Sequence, residues 1–218
     1  MSTRNITWDE ATELFERRGL PRSTWESLYE GEYVLHTGNA VVDGNFPLFT
    51  AEDHPWDEET PERDIGYVVD GDLTVSGGIY DEDDGSAALV VLGNLTVSGV
   101  HLTCDPKIVV TGNTTADVVF GQNTDKYLVF HGDLRAAAQK WTDECYPDLV
   151  GGTLAGHLDL PPYATDPAEY LGAAKVEPAE GVPADVLVPE VLDDEGRVDD
   201  EALRDRLLAG LPLRRDRS

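Results

Sequence analysis

Cysteine is nearly absent from this 218-residue chain. Cys104 and Cys145 are too few for a disulfide framework. In a stack of strands roughly 4.8 Å apart they would stand about two coils from each other, beyond disulfide reach, so both read as reduced thiols. Basic residues are scarce too: 16 Lys and Arg stand against 43 Asp and Glu, a formal net charge of −27. Such a surface repels nucleic acid and anionic lipid and draws in cationic partners; acidity that only keeps a chain in solution would look the same. No apolar run reaches 18 residues, which excludes a transmembrane helix. The charged first thirty residues hold no apolar signal core. Together these absences point to a cytoplasmic protein.

Motifs that carry chemistry are missing as well. There is no Gly-x-Ser-x-Gly, no Gly-rich phosphate loop and no dinucleotide fingerprint. His36, His54, His101, His131 and His157 are scattered, and His101-x-x-Cys104 is half of a zinc pattern without its second half. No catalytic, cofactor-binding or metal-ligating residue is assigned on this reading, and the chain reads as a non-enzyme.

What the chain does have is one phrase written several times. Val68-Val69-Asp70-Gly71-Asp72-Leu73-Thr74-Val75-Ser76-Gly77 returns as Val90-Val91-Leu92-Gly93-Asn94-Leu95-Thr96-Val97-Ser98-Gly99. Decaying copies centre on Gly112, Gly132 and Gly152, with an earlier one at Gly38. From Gly71 the steps are 22, 19, 20 and 20 residues. Short strands recurring at that period suit one turn of a parallel β-helix. Alternation along a strand places Val69, Val91, Val110, Phe130 and Val150 on the same face as Leu73, Leu95, Thr114, Leu134 and Leu154. That face is expected to point into the solenoid and stack on itself. The Gly followed by Asp or Asn marks a bend that needs positive φ or close backbone approach. Hairpin turns in an antiparallel sandwich are the competing reading, although hairpin loops need not recur at one offset.

The expected architecture is therefore all-β: a single-stranded parallel β-helix of about five to six coils, with α-helical caps at both termini. Residues 1–31 form the N-terminal helical cap, 32–160 the solenoid, and 161–218 an extended Pro-rich tail with a C-terminal helix. Thr7-Trp8-Asp9-Glu10 opens the first helix with a capping box, and Ser23-Thr24-Trp25-Glu26 is expected to repeat it. Leu203, Leu207 and Leu208 are expected to close the far end. After Leu134 a strand start followed by irregular chain is expected, and the period is lost after Leu160.

Residues 45–64 interrupt the period with Phe46, Phe49, Trp56 and seven acids between Glu52 and Asp64. Trp56 amid Asp57, Glu58 and Glu59 is a candidate interface anchor, or packs the loop onto the coil. Asp81-Glu82-Asp83-Asp84-Gly85 is a second acidic loop; its spacing does not fit an EF-hand. Trp56, Asp57, Glu58, Glu59, Asp81, Glu82, Asp83 and Asp84 make up the candidate partner-binding set.

The Gly-Asp-Leu-Thr-Val and Gly-Asn-Leu-Thr-Val phrases, with Gly-Asp-Leu-Arg-Ala after them, resemble bacterial short β-helix proteins of the polymorphic-toxin immunity type. They are more distantly similar to bactofilins, which polymerise as cytoskeletal scaffolds. The likeness covers about residues 66–158. It implies an immunity protein that neutralises a cationic toxin domain by protein–protein contact, with no cofactor, as a monomer or small homo-oligomer. A self-assembling scaffold is the second reading, and a β-helix carbohydrate-active enzyme the third.

Overall fold

Leu73, Leu95, Thr114, Leu134 and Leu154 are successive partners in parallel ladders, so the repeat phrases stack in register. The result is a parallel β-solenoid of about five turns, mostly β, with four short α-helices among the described residues. A computed structural model describes residues 2–48, 56, 66–81, 87–122 and 125–215.

In chain order, β1 (Thr3–Ile6) precedes α1 (Trp8–Arg17) and the single turn α2 (Arg22–Trp25). The first coil holds β2 (Tyr33–Thr37), β3 (Ala40–Val42) and β4 (Phe46–Pro47). Four coils follow, each a short strand and then a long one: β5 (Gly66–Asp70) and β6 (Leu73–Tyr80); β7 (Ala87–Val91) and β8 (Leu95–Leu102); β9 (Pro106–Val110) and β10 (Thr114–Gly121); β11 (Tyr127–Phe130) and β12 (Leu134–Trp141). Then come β13 (Leu149–Asp159), α3 (Pro167–Tyr170), β14 (Ala173–Pro178) and α4 (Asp200–Leu208).

Each coil has three sides. The short strands build the first. The long strands bend in the middle and supply the other two. The first coil shows this openly, because β3 and β4 are separate strands that both pair with β6. The β6–β8 register slips between Val75 and Gly78, where one extra residue turns the corner. Inside, Tyr67, Leu89, Ile108 and Leu128 run parallel to Val69, Val91, Val110, Phe130 and Val150 in one apolar cluster.

The corner after the first side explains the Gly-Asp and Gly-Asn pairs. Asp72 N–H donates to Asn39 Oδ1, Asn94 N–H to Asp72 Oδ1, Asn113 N–H to Asn94 Oδ1, and Asp133 N–H to Asn113 Oδ1, all at 2.7–3.0 Å. Each Asx side chain thus satisfies a backbone donor one coil further on. The glycines serve close approach: a Cβ on Gly93 would lie 2.6 Å from the Gly71 carbonyl. Only Gly38, in the first copy, has positive φ, at 89°.

Thr114 sits 1% exposed in the Leu73–Leu95–Leu134 column, and its hydroxyl has no hydrogen-bond partner. Thr114→Val removes that hydroxyl at nearly constant shape. Urea unfolding is expected to show a gain of about 1 kcal/mol; a loss would mean the hydroxyl is satisfied in solution.

The terminal helices cover apolar surface, as expected, but on the sides of the solenoid. Ala11, Leu14, Phe15, Trp25 and Leu28 bury the outward residues of the first side, Leu35, Val68, Val90, Val109 and Val129. Lys107 Nζ donates to Ser27 O and Tyr29 Oη to Asp105 O along this seam. On the third side Leu203, Leu207, Leu213, Val191 and Val198 pack onto Val118, Phe120 and Ala138. His101, 2% exposed, lies under α4 with Nε2 2.7 Å from Asp200 Oδ1 and its ring stacked on Phe120. The helices take the sides because the sides are where outward Val columns leave apolar surface in need of cover.

At the first coil, β1 pairs antiparallel with β2. Trp56 stacks on His36 at 5.1 Å and packs edge-on against Phe46 and Tyr67. At the other end β14 pairs in parallel with β13, so the ladder runs past Leu160 to Pro178. One local expectation holds and two change. The capping box at Thr7 and Glu10 forms. At α2 there is none: Pro21 is the N-cap, with no side-chain cap bond, because Pro at that position sets the turn two residues early. Residues after Leu134 stay in strand to Trp141, held by parallel pairing with β10 that outweighs their helical propensity.

Candidate functional site

With the first and third sides clad, the second side is the sheet surface left to solvent. Its central outward column is Val41, Thr74, Thr96, Thr115 and Arg135, all exposed, and Val41 is 79% accessible. Asn39, Asp72, Asn94, Asn113 and Asp133 run along one edge. Asp43, Ser76, Ser98 and Asp117 run along the other, where Ser76 Oγ donates to Asp43 Oδ1 and Ser98 Oγ to Ser76 O.

The residue choice follows from register. In-register parallel strands bring equivalent side chains to about 4.8 Å, so identical charges would face each other down every column. Thr, Ser and Asn avoid that repulsion, and Thr also suits the pleated backbone. Two of the charges that do enter, Asp133 and Asp117, are paired with cations. Arg135 holds Asp133 at 3.0 Å, and Arg214 reaches Asp117 at 3.4 Å. Burial raises the Asp117 pKa, and Arg214 opposes that.

The C-terminal segment meets this side along its Ser76–Ser98–Asp117 edge. A cleft of about 400 Å³ lies there, with Gly77 and Gly78 on the floor and residues 210–215 as the far wall. A second cavity of about 570 Å³, next to His157, is walled by Pro161, Pro162, Pro178 and Pro183.

Of the residues singled out from sequence, Asp57, Glu58, Glu59, Glu82, Asp83 and Asp84 lie outside the described residues. Trp56 packs against the core cluster beside His36, Phe46 and Tyr67. Asp81 is 2% exposed, so its carboxylate is a buried acceptor: Thr103 N–H donates to it at 2.7 Å and Cys104 N–H at 3.2 Å. His131 sits in the helix–sheet seam with Nε2 3.4 Å from Thr24 Oγ1, and burial lowers its pKa. Cys104 and Cys145 are both buried as thiols, and burial pushes the Cys145 thiol up to about 12. Among the described residues no group of three or more His, Cys, Asp or Glu side chains is placed to hold a metal ion. No helix among them is long and apolar enough to cross a membrane.

Burial raises the Asp81 pKa to about 6, and the two backbone donors only partly offset it. A carboxyl whose folded pKa lies above its unfolded value stabilises the fold when protonated. The contribution is full below about pH 4 and is lost as pH rises through about 6. Wild type should therefore lose about 2 kcal/mol relative to Asp81→Asn between about pH 4 and pH 7. Parallel stability curves for the two proteins would refute this.

Sequence reasoning missed the second side. The signal was present in the residues between the inward columns, Thr74, Thr96 and Thr115, but their exposure depends on where the terminal segments lie. No family model, no curated protein and no solved structure matches this chain. The resemblance to immunity proteins and bactofilins rests on the repeat phrases alone.

Proposed function

We propose that this protein is a non-enzymatic acidic binding protein that captures a cationic protein partner, such as a toxin domain it neutralises. The observation that carries the reading is the net charge of −27 on a rigid, laddered scaffold. Acids gather on the segments that clad the solenoid, including Asp9, Glu10, Glu13 and Glu16 on and beside the exposed face of α1, and Asp193, Asp194 and Glu195 before α4. A field of one sign from a fixed framework speeds encounter with a partner of the other sign. The test is stopped-flow association with the cationic partner encoded beside it. The rate constant should fall about tenfold or more between roughly 50 and 500 mM salt; a flat response discards the reading.

The alternative of a self-assembling scaffold draws on β14, whose exposed Ala174, Lys175 and Glu177 belong to the last strand of the ladder. Lys and Pro on such a strand are devices that discourage further pairing, and β14 carries both Lys175 and Pro178. This favours the monomeric binding protein.

A further inference from the structure

The cavity of about 570 Å³ lies between the end of β13 and the Pro-rich chain that follows it, and its volume is in the usual range for small-molecule sites. Pro161, Pro162, Pro167, Pro178 and Pro183 wall it. Proline has a fixed φ and no N–H, so these walls are stiff and present C–H surface and carbonyl acceptors, with no backbone donor of their own. His157 lines the same space at 8% exposure, and neither of its ring nitrogens hydrogen-bonds to a described residue. A polar group buried to that degree is normally satisfied, so its partner has to come from whatever fills the cavity.

Two carboxylates stand beside the imidazole. Asp159 also lines the cavity, and strand alternation puts it on the same outward face of β13 as His157. A Cβ on Gly181 would come within 4 Å of both His157 Cε1 and Asp185 Oδ2, and Gly181, at φ +85°, leaves that gap clear. Neither Asp159 nor Asp185 is ion-paired with a described residue. The nearby cations are engaged elsewhere: Arg197 with Asp193 and Glu195, each at 3.1 Å, and Lys140 Nζ with the Val198 carbonyl at 2.7 Å.

We propose that this cavity binds a small organic cation, a protonated amine or amidine carried on an apolar body. The charged head donates to the Asp159 carboxylate and to a ring nitrogen of His157, Asp185 adds to the negative field, and the body lies against the prolines. An anion is opposed by both carboxylates and by the field of a chain of net charge −27. An uncharged apolar molecule leaves His157 and Asp159 unpaired, which costs affinity. A bare metal ion is no better matched, because among the described residues no group of three or more His, Cys, Asp or Glu is placed to hold one. Loose packing of a Pro-rich segment would account for a cavity, but not for an unpaired buried imidazole beside two unpaired carboxylates.

The test is calorimetric titration of the full chain with 2-phenylethylamine, tryptamine, benzamidine and agmatine, at about 150 mM salt to screen the diffuse field. Saturable binding of at least one is expected, with Kd between about 10 µM and 1 mM. The uncharged 2-phenylethanol and the anionic 3-phenylpropionate should bind at least about tenfold more weakly than the best amine. Asp159→Asn, nearly isosteric, should weaken that amine about tenfold, and His157→Phe, which keeps a ring but removes both nitrogens, about fivefold. Glu13→Gln on α1 removes the same charge far from the cavity and should leave the affinity unchanged. Absence of saturable binding by all four amines at about 10 mM would overturn the proposal. So would equal affinity for 3-phenylpropionate, or an Asp159→Asn loss no larger than that of Glu13→Gln.

Discussion

Gly112→Ala is expected to cost about 4 kcal/mol of folding stability and to lower Tm by about 10 °C, although it adds a single methyl group. The added Cβ would lie 2.6 Å from Asn94 Oδ1, 2.7 Å from the Gly93 carbonyl oxygen and 2.8 Å from its carbon. None of these atoms can retreat. Asn94 Oδ1 accepts from Asn113 N–H at 2.9 Å, and Gly93 O accepts from Gly112 N–H at 2.8 Å. Both belong to the ladder that holds one coil on the next, so relief of the clash means breaking the corner. The control is Gly196→Ala. Gly196 has φ +76°, and a Cβ there meets nothing within 4 Å. Its cost is that of a left-handed alanine, about 1 kcal/mol. If thermal unfolding shows equal losses for the two variants, close approach is not what the repeat glycines serve.

That comparison also marks which parts of the fold are legible in the sequence. The period, the inward columns and the Asx-bearing corner are read from local pattern, because stacking in register makes every coil repeat the same in-and-out alternation. Val69, Val91 and Val110 announce themselves without reference to anything distant. The placement of α1 and α4 is different. Leu14 and Leu207 show an apolar helix face, but not which outward column it covers. That depends on Val68, Val90, Val109, Val118 and Ala138, whose outward apolar character is hidden inside near-continuous hydrophobic runs. A run such as Ala87-Ala88-Leu89-Val90-Val91, buried throughout, says that both faces of the strand are covered but not by what. The exposed second side follows by subtraction, because the exposure of Thr74, Thr96 and Thr115 depends on where those covers lie. The burial of Asp81 is hidden from the sequence for a related reason. Its neighbours are solvated-loop residues by composition, and only the Thr103 and Cys104 backbone donors one coil away make a buried carboxylate tolerable.

Side-chain exclusion also locks the C-terminal segment to the third side, and this gives the second large effect. Gly99 has no side chain where its neighbours in the column, Val118 and Ala138, do. The space a Cβ would need is taken by Leu207 Cδ1 at 2.6 Å and Leu213 Cδ1 at 2.8 Å. Leu207→Ala empties that space, and the loss should be about 3 kcal/mol, the transfer cost plus the cavity left above two glycines. Gly99→Ala alone drives a methyl group into Leu207 and should cost about 2 kcal/mol by overpacking. Each change supplies what the other lacks. In the double variant the alanine methyl group occupies part of the volume that Leu207 vacated, and Leu213 is a flexible tip that can yield. The double variant is expected to be more stable than the sum of the single losses by at least about 1.5 kcal/mol, read from urea midpoints at constant m. Losses that add to within about 0.5 kcal/mol would mean that Leu207 does not dock at Gly99 in solution. The wall of the cleft formed by residues 210–215 would then have no fixed position.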